Sequence, residues 1–297
     1  VITRFAPSPT GPLHLGHAYS AMLAHDMAME HNGTFLLRIE DIDRSRARPA
    51  WEQQIYDDLK WLGLWWPDPV MRQSHRSAAY QAALDQLWND VLLYPCHCSR
   101  KDIEQAANAP QEGATIGPDG IVYPGTCAGS VNPYEPGERP FELPLRLNME
   151  KATRLTCTHE IAPDHPWASV LSFDEHQHEP NGIRTVTAEH LIEHVGDVVV
   201  SRRDMGTSYH LSVVVDDAAQ GITDVVRGED LLDATPIHVI LQKLLRHPTP
   251  RYHHHRLIRD NQGKRLAKRD DARALTKYRS EGATPNDIRR LVGIPEV

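Results

Sequence analysis

His14 and His17 are the residues whose type and spacing best suit chemistry on phosphate. They close the run Arg4-Phe5-Ala6-Pro7-Ser8-Pro9-Thr10-Gly11-Pro12-Leu13-His14-Leu15-Gly16-His17. Its prolines fix φ, while Gly11 and Gly16 allow positive φ or backbone contact with a ligand. Beyond His17 the apolar residues Tyr19, Leu23 and Met27 recur at helical spacing, which puts both imidazoles at a helix N-terminus. The N–H groups and positive dipole end there favour an anion. Two imidazoles on one side of that entry can donate to phosphate oxygens. The run therefore reads as a nucleoside triphosphate site held by backbone and histidine, without the lysine of a P-loop. The plain alternative is a chance tetrapeptide on a capped helix.

Other groups carry chemistry of their own. Thr34–Ile39 reads as a buried strand that runs into Glu40, Asp41 and Asp43. That places carboxylates at a strand's C-terminal end, the edge where open α/β sheets bind ligands. Asp41 and Asp43 read equally as a solvated turn, with Asp43 pairing with Arg44 or Arg46 or capping a helix. Cys96, Cys98 and Cys127 bracket the start of a stretch, Ala109 to Pro144, that is dense in proline and glycine. Cys-x-Cys with a distant third thiolate suits a tetrahedral Zn²⁺ tying down a loop that lacks a core. Chemistry leaves the fourth ligand open among His97, Tyr123 and water, although His97 between two ligands reaches the same ion poorly. Disulfides are disfavoured in a cytosolic chain, and Cys157 reads as a small core residue. Asp174-Glu175-His176-Gln177-His178-Glu179 offers metal ligands but reads better as a solvated loop.

Elements must position these groups. One helix carries Ile55, Leu59 and Leu62 on a face and closes at Gly63; a second carries Tyr80, Leu84, Leu87 and Val91 on a stripe. Both cover a sheet. Regular structure resumes at Asp197, Tyr209–Asp217 reads as a buried strand ending in acids, and Ile222–Arg227 as another. Thr284, Pro285 and Gly293 bound a last helix packed through Ile288, Leu291 and Val292.

The 297 residues, 40% hydrophobic with mean hydropathy −0.49, suit one elaborated soluble domain or two. No run reaches the roughly 18 apolar residues of a membrane span, and the first 17 residues do not read as a signal peptide. A cytoplasmic monomer without membrane contact is the expectation. A net charge of −8 argues weakly against a nucleic-acid partner. Yet Arg246, Arg251, Arg256, Arg259, Lys264, Arg265, Lys268 and Arg269 fall within 24 residues, opposed only by Asp260. Gly263 and three consecutive histidines interrupt any simple helical face there, so phosphate contact is favoured over a solvated face.

The opening run resembles the first signature of class I aminoacyl-tRNA synthetases, in the glutamyl version. Arg38-Ile39-Glu40-Asp41-Ile42-Asp43 and the stretch from Trp61-Leu62-Gly63-Leu64 to Tyr80 resemble the same family. So does Gly263–Arg269, whose Arg265-Leu266-Ala267-Lys268-Arg269 stands where the family carries Lys-Met-Ser-Lys-Ser. The resemblance implies that His14, Gly16, His17, Gly228 and Lys268 bind ATP with Mg²⁺, with His14, His17 and Lys268 catalytic. It implies that Arg4, Ala6, Ser8, Glu40, Tyr209 and Arg227 hold L-glutamate, Glu40 taking the α-ammonium. The bland alternative for Arg227 is pairing with Glu229 or Asp230. It also implies a structural Zn²⁺ on Cys96, Cys98, Tyr123 and Cys127, and it selects Tyr123 from the open set. Phe141 to Arg184 resembles, less specifically, the family's inserted domain that meets the tRNA acceptor end.

The fold implied is α/β: a doubly wound parallel-sheet (Rossmann-type) catalytic domain split by an inserted zinc-bearing domain, with a small helical C-terminal part. The expected boundaries are 1–93, 94–190, 191–246 and 247–297. Only 28 residues follow Arg269, too few for an anticodon-binding domain. Within the family that points to short paralogues that pass glutamate to the queuosine base of tRNA(Asp). Competing readings are a truncated enzyme charging tRNA(Glu), a small nucleotidyltransferase with a His-x-Gly-His loop, and an inactive tRNA-binding paralogue.

Overall fold

The structure, a computed structural model, describes residues 1–107, 114–130, 137–162, 165–259 and 273–296. Strand β1 (Ile2–Phe5) leads through the proline-rich loop into helix α1 (Leu15–Glu30), and β2 (Thr34–Ile39) returns parallel to β1. Helix α2 (Pro49–Trp61), strand β3 (Met71–Arg72) and helix α3 (Ser77–Asn89) follow, β3 pairing parallel with β2. Next come β4 (Leu93–Pro95), α4 (Arg100–Ala107), β5 (Ile116–Gly117), β6 (Gly120–Ile121), β7 (Leu145–Leu147) and α5 (Met149–Thr156). They are followed by β8 (Thr158–Ala162), β9 (His165–Asp174), β10 (Ile183–Thr187), the short α6 (Ala188–His190) and β11 (Val199–Ser201). The strands of this middle stretch pair antiparallel, in the orders β11-β7-β4, β10-β9-β8 and β5-β6.

Parallel pairing resumes after helix α7 (Tyr209–Ala219): β12 (Asp224–Gly228) and, beyond helix α8 (Thr235–Leu244), β13 (Arg251–His255) run side by side. Helices α9 (Leu275–Ser280) and α10 (Pro285–Val292) come last. The two parallel pieces meet where the Thr223 N–H donates to the Ile2 carbonyl at 3.0 Å and the Ile2 N–H to Thr223 Oγ1 at 2.8 Å. Strand alternation sends Phe35, Leu37, Ile39 and Val226 into a core shared with α1, α2 and α10. It sends Leu36 and Val225 towards a second core shared with α3, α7 and α8. A sheet buried on both faces explains why Thr34–Ile39 is apolar almost throughout.

Three expectations need correction. Tyr209–Ala219 is a helix, not a strand: Ser208 Oγ accepts from the Leu211 N–H at 3.3 Å as N-cap, and every residue from His210 to Asp217 is buried. A helix covered all round has no polar face to reveal its period. Helix α3 stops at Asn89; Val91 has φ 57°, and Leu92 is the residue that turns inward. In α10, Leu291 is 56% exposed, and the buried side is Ile288, Val292 and Arg289, whose guanidinium grips Asp26 at 2.7 and 2.8 Å. The ends of α10 are as expected, with a Thr284–Asp287 capping box and Gly293 at φ 73°.

Candidate active site

The loop between β1 and α1 is tied to the C-terminal end of β2. The Glu40 N–H donates to the Pro7 carbonyl at 3.0 Å and the Arg48 N–H to the Pro9 carbonyl at 3.0 Å, so Ala6 and Ser8 flank the point where Glu40 begins. His14 is the N-cap of α1. Its Nδ1 accepts from the Gly16 N–H at 3.1 Å, and His17 Nδ1 accepts from the His14 N–H at 3.2 Å, a capping box made of two imidazoles. Their ring centroids are 3.8 Å apart. A neutral imidazole that accepts at Nδ1 carries its proton on Nε2, so Nε2 is the donor nitrogen of each ring. The first turn holds no acidic residue, which leaves the positive helix end to an anion.

Arg4, Glu40 and Arg227 all act electrostatically on Tyr209, together with Asp217, a carboxylate not among the expected site residues. Asp217 accepts from Arg4 Nε at 3.0 Å, from Arg4 Nη2 at 3.3 Å and from Arg38 Nη1 at 2.6 Å. Arg38, fully buried on β2, also donates to Glu40 Oε1 at 3.2 Å. Burial alone would raise the Asp217 carboxyl, but Arg4 and Arg38 outweigh it and hold it below the usual range. At Glu40 burial wins over Arg38 and Arg4, and its pKa rises. An incoming ammonium would compensate that charge. Burial also pushes the Tyr209 phenol up, and the charges acting on it are those of Arg227, Glu40, Arg4 and Asp217.

Arg227 does not pair with Glu229 or Asp230. Its Nε meets His254 Nε2 at 3.1 Å, Nη1 meets His238 Nδ1 at 3.0 Å and Nη2 meets Thr235 Oγ1 at 2.7 Å. Behind His254 stands Glu175, fully buried and bonded to His254 Nδ1; Asp174, His176, Gln177 and His178 around it are exposed, as expected of a solvated loop. Asp41 is likewise engaged, accepting from the Ser74 N–H at 2.8 Å and Ser74 Oγ at 2.6 Å. Asp43 fits the plain reading: Ser45 and Arg46 hold its carboxyl down at about 2.

The basic segment divides. Arg251 pairs with Asp224 at 2.9 Å, and Arg256 donates to the Val292 carbonyl at 2.6 Å, so these two are structural. Lys264, Arg265, Lys268 and Arg269 lie outside the described residues. The described chain beyond them sits at the histidine pair: Ala274 bridges His14, and the Leu275 N–H donates to the Leu13 carbonyl at 2.9 Å. At Gly228 a Cβ would stand 2.4 Å from Asp230 Oδ1 and 3.0 Å from Leu257 Cδ2, so glycine is demanded by close approach.

Away from this cleft, the sulfurs of Cys96, Cys98 and Cys127 lie within 4.8 Å of one another. The Tyr123 hydroxyl is 3.6 Å from Cys96 Sγ and 3.4 Å from Cys98 Sγ, and Cys98 Sγ is 3.6 Å from Cys127 Sγ. Four ligands at zinc bond lengths would stand about 3.8 Å apart, so this donor set fits a tetrahedral ion. His97 is exposed, and its backbone N–H faces Cys127. Burial would raise the Cys127 thiol, but the Tyr123 hydroxyl and the His97 N–H bring it to about 7. Arg146 donates to Cys96 Sγ at 3.3 Å and lies 3.8 Å over the Tyr123 ring. Cys157 packs beside the core, outside this cluster.

The chain matches the family model for the catalytic domain of class I tRNA synthetases (E and Q) over residues 1–119 and 183–294. It is 60% identical over 294 residues to a glutamyl-Q tRNA(Asp) synthetase of Rhodobacter capsulatus, covering 99% of this chain and 100% of that relative. A glutamyl-Q tRNA(Asp) synthetase of Albidiferax ferrireducens is 40% identical over 295 residues, covering 99% and 92%. Among solved structures, a glutamate-tRNA synthetase from Elizabethkingia anophelis superposes with a TM-score of 0.74 at 24% identity. That likeness concerns the fold; it covers 98% of this chain and 61% of the longer enzyme.

Proposed function

The chain belongs to the class I tRNA synthetases of the E and Q type, and from that premise we propose that it activates L-glutamate with ATP and passes the glutamyl group to the queuosine base of tRNA(Asp). The observation that carries the proposal is adjacency. One short loop joins an anion-ready helix N-terminus, with two Nε2 donors, to a buried cluster of Arg4, Glu40, Tyr209 and Arg227. In this reading Glu40 takes the α-ammonium, while Arg4 and Arg227 supply charge for the carboxylates, Ala6 and Ser8 lining the loop side. The glutamate α-carboxylate attacks the α-phosphorus of ATP and pyrophosphate leaves. The protein supplies position and charge, with no side-chain nucleophile. His14, His17 and Lys268 serve the phosphates beside Mg²⁺, and Gly16 and Gly228 let the nucleotide approach.

Gly16 gives a direct check. A Cβ there would stand 3.0 Å from His14 Cε1 and 3.2 Å from its Nδ1. Gly16→Ala should displace the His14 ring and raise the KM for ATP by roughly tenfold, about 1.4 kcal/mol, while the far-UV circular dichroism stays unchanged. An unaltered KM would remove the ring's placement from ATP binding.

The proposal includes a Zn²⁺ on Cys96, Cys98, Tyr123 and Cys127 that would tie together a loop-rich segment. It includes an inserted unit at 94–190 between catalytic parts 1–93 and 191–246, with 247–297 following. The antiparallel pairing of the strands from Leu93 to Ser201 supports an inserted unit, and the pairing of β11 (Val199–Ser201) with β7 carries that unit's sheet past residue 190. Cys98→Ser should lose most of the bound zinc by elemental analysis and lower the melting temperature. Zinc-free protein as freshly purified would refute the assignment. No helix among the described residues is long and apolar enough to cross a membrane, and a cytoplasmic monomer is part of the same reading.

The deciding experiment offers labelled glutamate with ATP to tRNA(Asp) with and without queuosine, and to tRNA(Glu). Label is expected only on tRNA(Asp) carrying queuosine. Label on tRNA(Glu) alone would overturn the acceptor. Pyrophosphate exchange not driven by glutamate would overturn the activation step.

A further inference from the structure

We infer that His238 and His254 are positioning residues that aim Arg227 without setting a carboxylate against its guanidinium, so that the pocket takes a carboxylate side chain in preference to an amide. The inference rests on the reading above, in which Arg227 meets glutamate. A guanidinium only donates and keeps its proton at any working pH. The ring nitrogens that face it, His254 Nε2 at 3.1 Å and His238 Nδ1 at 3.0 Å, must therefore be bare acceptors. That fixes both tautomers. The His254 proton sits on Nδ1, where Glu175 accepts it. The His238 proton sits on Nε2 and goes to His210 Nδ1 at 3.0 Å. His210 then carries its own proton on Nε2, which faces Asp119 Oδ1 at 3.5 Å.

The result is one directed chain, Glu175–His254–Arg227–His238–His210–Asp119, with the arginine in the middle and carboxylates only at the ends. Arg227, His238, His254 and Glu175 are all buried. Burial keeps the two inner imidazoles neutral, His254 down to about 4 and His238 well down. The remaining partners of Arg227, Thr235 Oγ1 and the Leu231 carbonyl, are neutral too. Arg4 is the contrast: Asp217 accepts two hydrogen bonds from it, so part of its charge is met within the protein. Discrimination between an anionic and a neutral side chain therefore falls chiefly on Arg227. A neutral cage aims the guanidinium without satisfying it electrostatically.

Crossed isosteres test this. Glutamine places its amide oxygen near an imidazole Nε2, and asparagine near Nδ1. His254→Gln and His238→Asn keep the acceptor towards Arg227; His254→Asn and His238→Gln lose it. In glutamate-driven ATP–pyrophosphate exchange, the second pair should raise the glutamate KM roughly 10- to 100-fold. The first pair should stay within about threefold of wild type, and the ATP KM should hold in all four. Equal effects in all four variants would reduce the histidines to packing and overturn the inference. His238→Asp differs from His238→Asn in charge alone and sets a carboxylate against Arg227. It should cost at least roughly tenfold in preference for glutamate over glutamine; retained preference would overturn the charge argument. Arg227→Gln separates the two levels: an unchanged glutamate KM there would bring down the glutamate reading itself, and a raised one leaves the histidine variants to decide.

Discussion

His14→Asn and His17→Asn should each slow glutamyl-adenylate formation by roughly 10²- to 10³-fold, the usual loss when one preorganised donor to a developing negative charge is removed. Asparagine is the informative choice because both rings have two jobs. Their Nδ1 atoms accept the Gly16 and His14 N–H groups at 3.1 and 3.2 Å and so start helix α1. The asparagine Oδ1 stands where Nδ1 stood, so the capping box survives and only the Nε2 donor disappears. Alanine would remove cap and donor together, and the cap alone is worth about 0.5–2 kcal/mol. The expected signature is a large fall in pyrophosphate exchange with an unshifted melting curve. Normal exchange in both variants would take the imidazoles out of the mechanism and leave the phosphates to backbone and to Lys268.

The elements legible in the sequence are those whose signals are local. Pro9, Gly11 and Pro12 announce a stiff loop, and Thr284-Pro285 with Gly293 announces α10 at both ends. Helix α7 was not legible. His210-Leu211-Ser212-Val213-Val214-Val215 is rich in β-branched residues and has no polar stripe, which is the pattern of a buried strand. Tertiary packing overrides it: the segment is enclosed on every side, and a single serine cap at Ser208 is its only local helix signal. Asp216 and Asp217 looked like acids at a strand's end. They are buried because Arg76, Tyr80, Arg4 and Arg38 meet them from across the fold.

The same distinction governs the site. Arg4, Glu40, Tyr209 and Arg227 were reached through resemblance, and the fold brings them together. What completes them, Asp217 and the histidines around Arg227, comes from segments far apart in the chain, and no spacing records that. One clue was present: Arg38 stands in the middle of Thr34-Phe35-Leu36-Leu37-Arg38-Ile39. A charge inside a buried strand requires a partner. Glu175 lay hidden among exposed acids and histidines, although only its own side chain is sealed inside. At the cysteines, spacing gives three thiols, resemblance adds Tyr123, and the fold sets its hydroxyl beside them.

Asp217→Asn is expected to be the most damaging single change to the pocket. The carboxylate is shared by Arg4 and Arg38, both almost wholly enclosed, and removing one member of a buried ion cluster costs about 3–5 kcal/mol. For a chain of this size the melting temperature should fall by something on the order of 10 °C. The acid dependence gives a sharper check. In the folded protein the Asp217 pKa lies below its ordinary 3.8, so the stability it contributes is fully present above its unfolded value. It is lost as pH falls through the depressed folded value. The gap between wild type and variant should therefore be constant from neutral pH down to about pH 4 and narrow below it. Arg4, freed from its clamp, also loses its orientation, so the glutamate KM should rise together with the loss of stability. A variant that melts with the wild type at neutral pH would show that the two arginines do not depend on this carboxylate, and the proposed geometry of the pocket would fall with it.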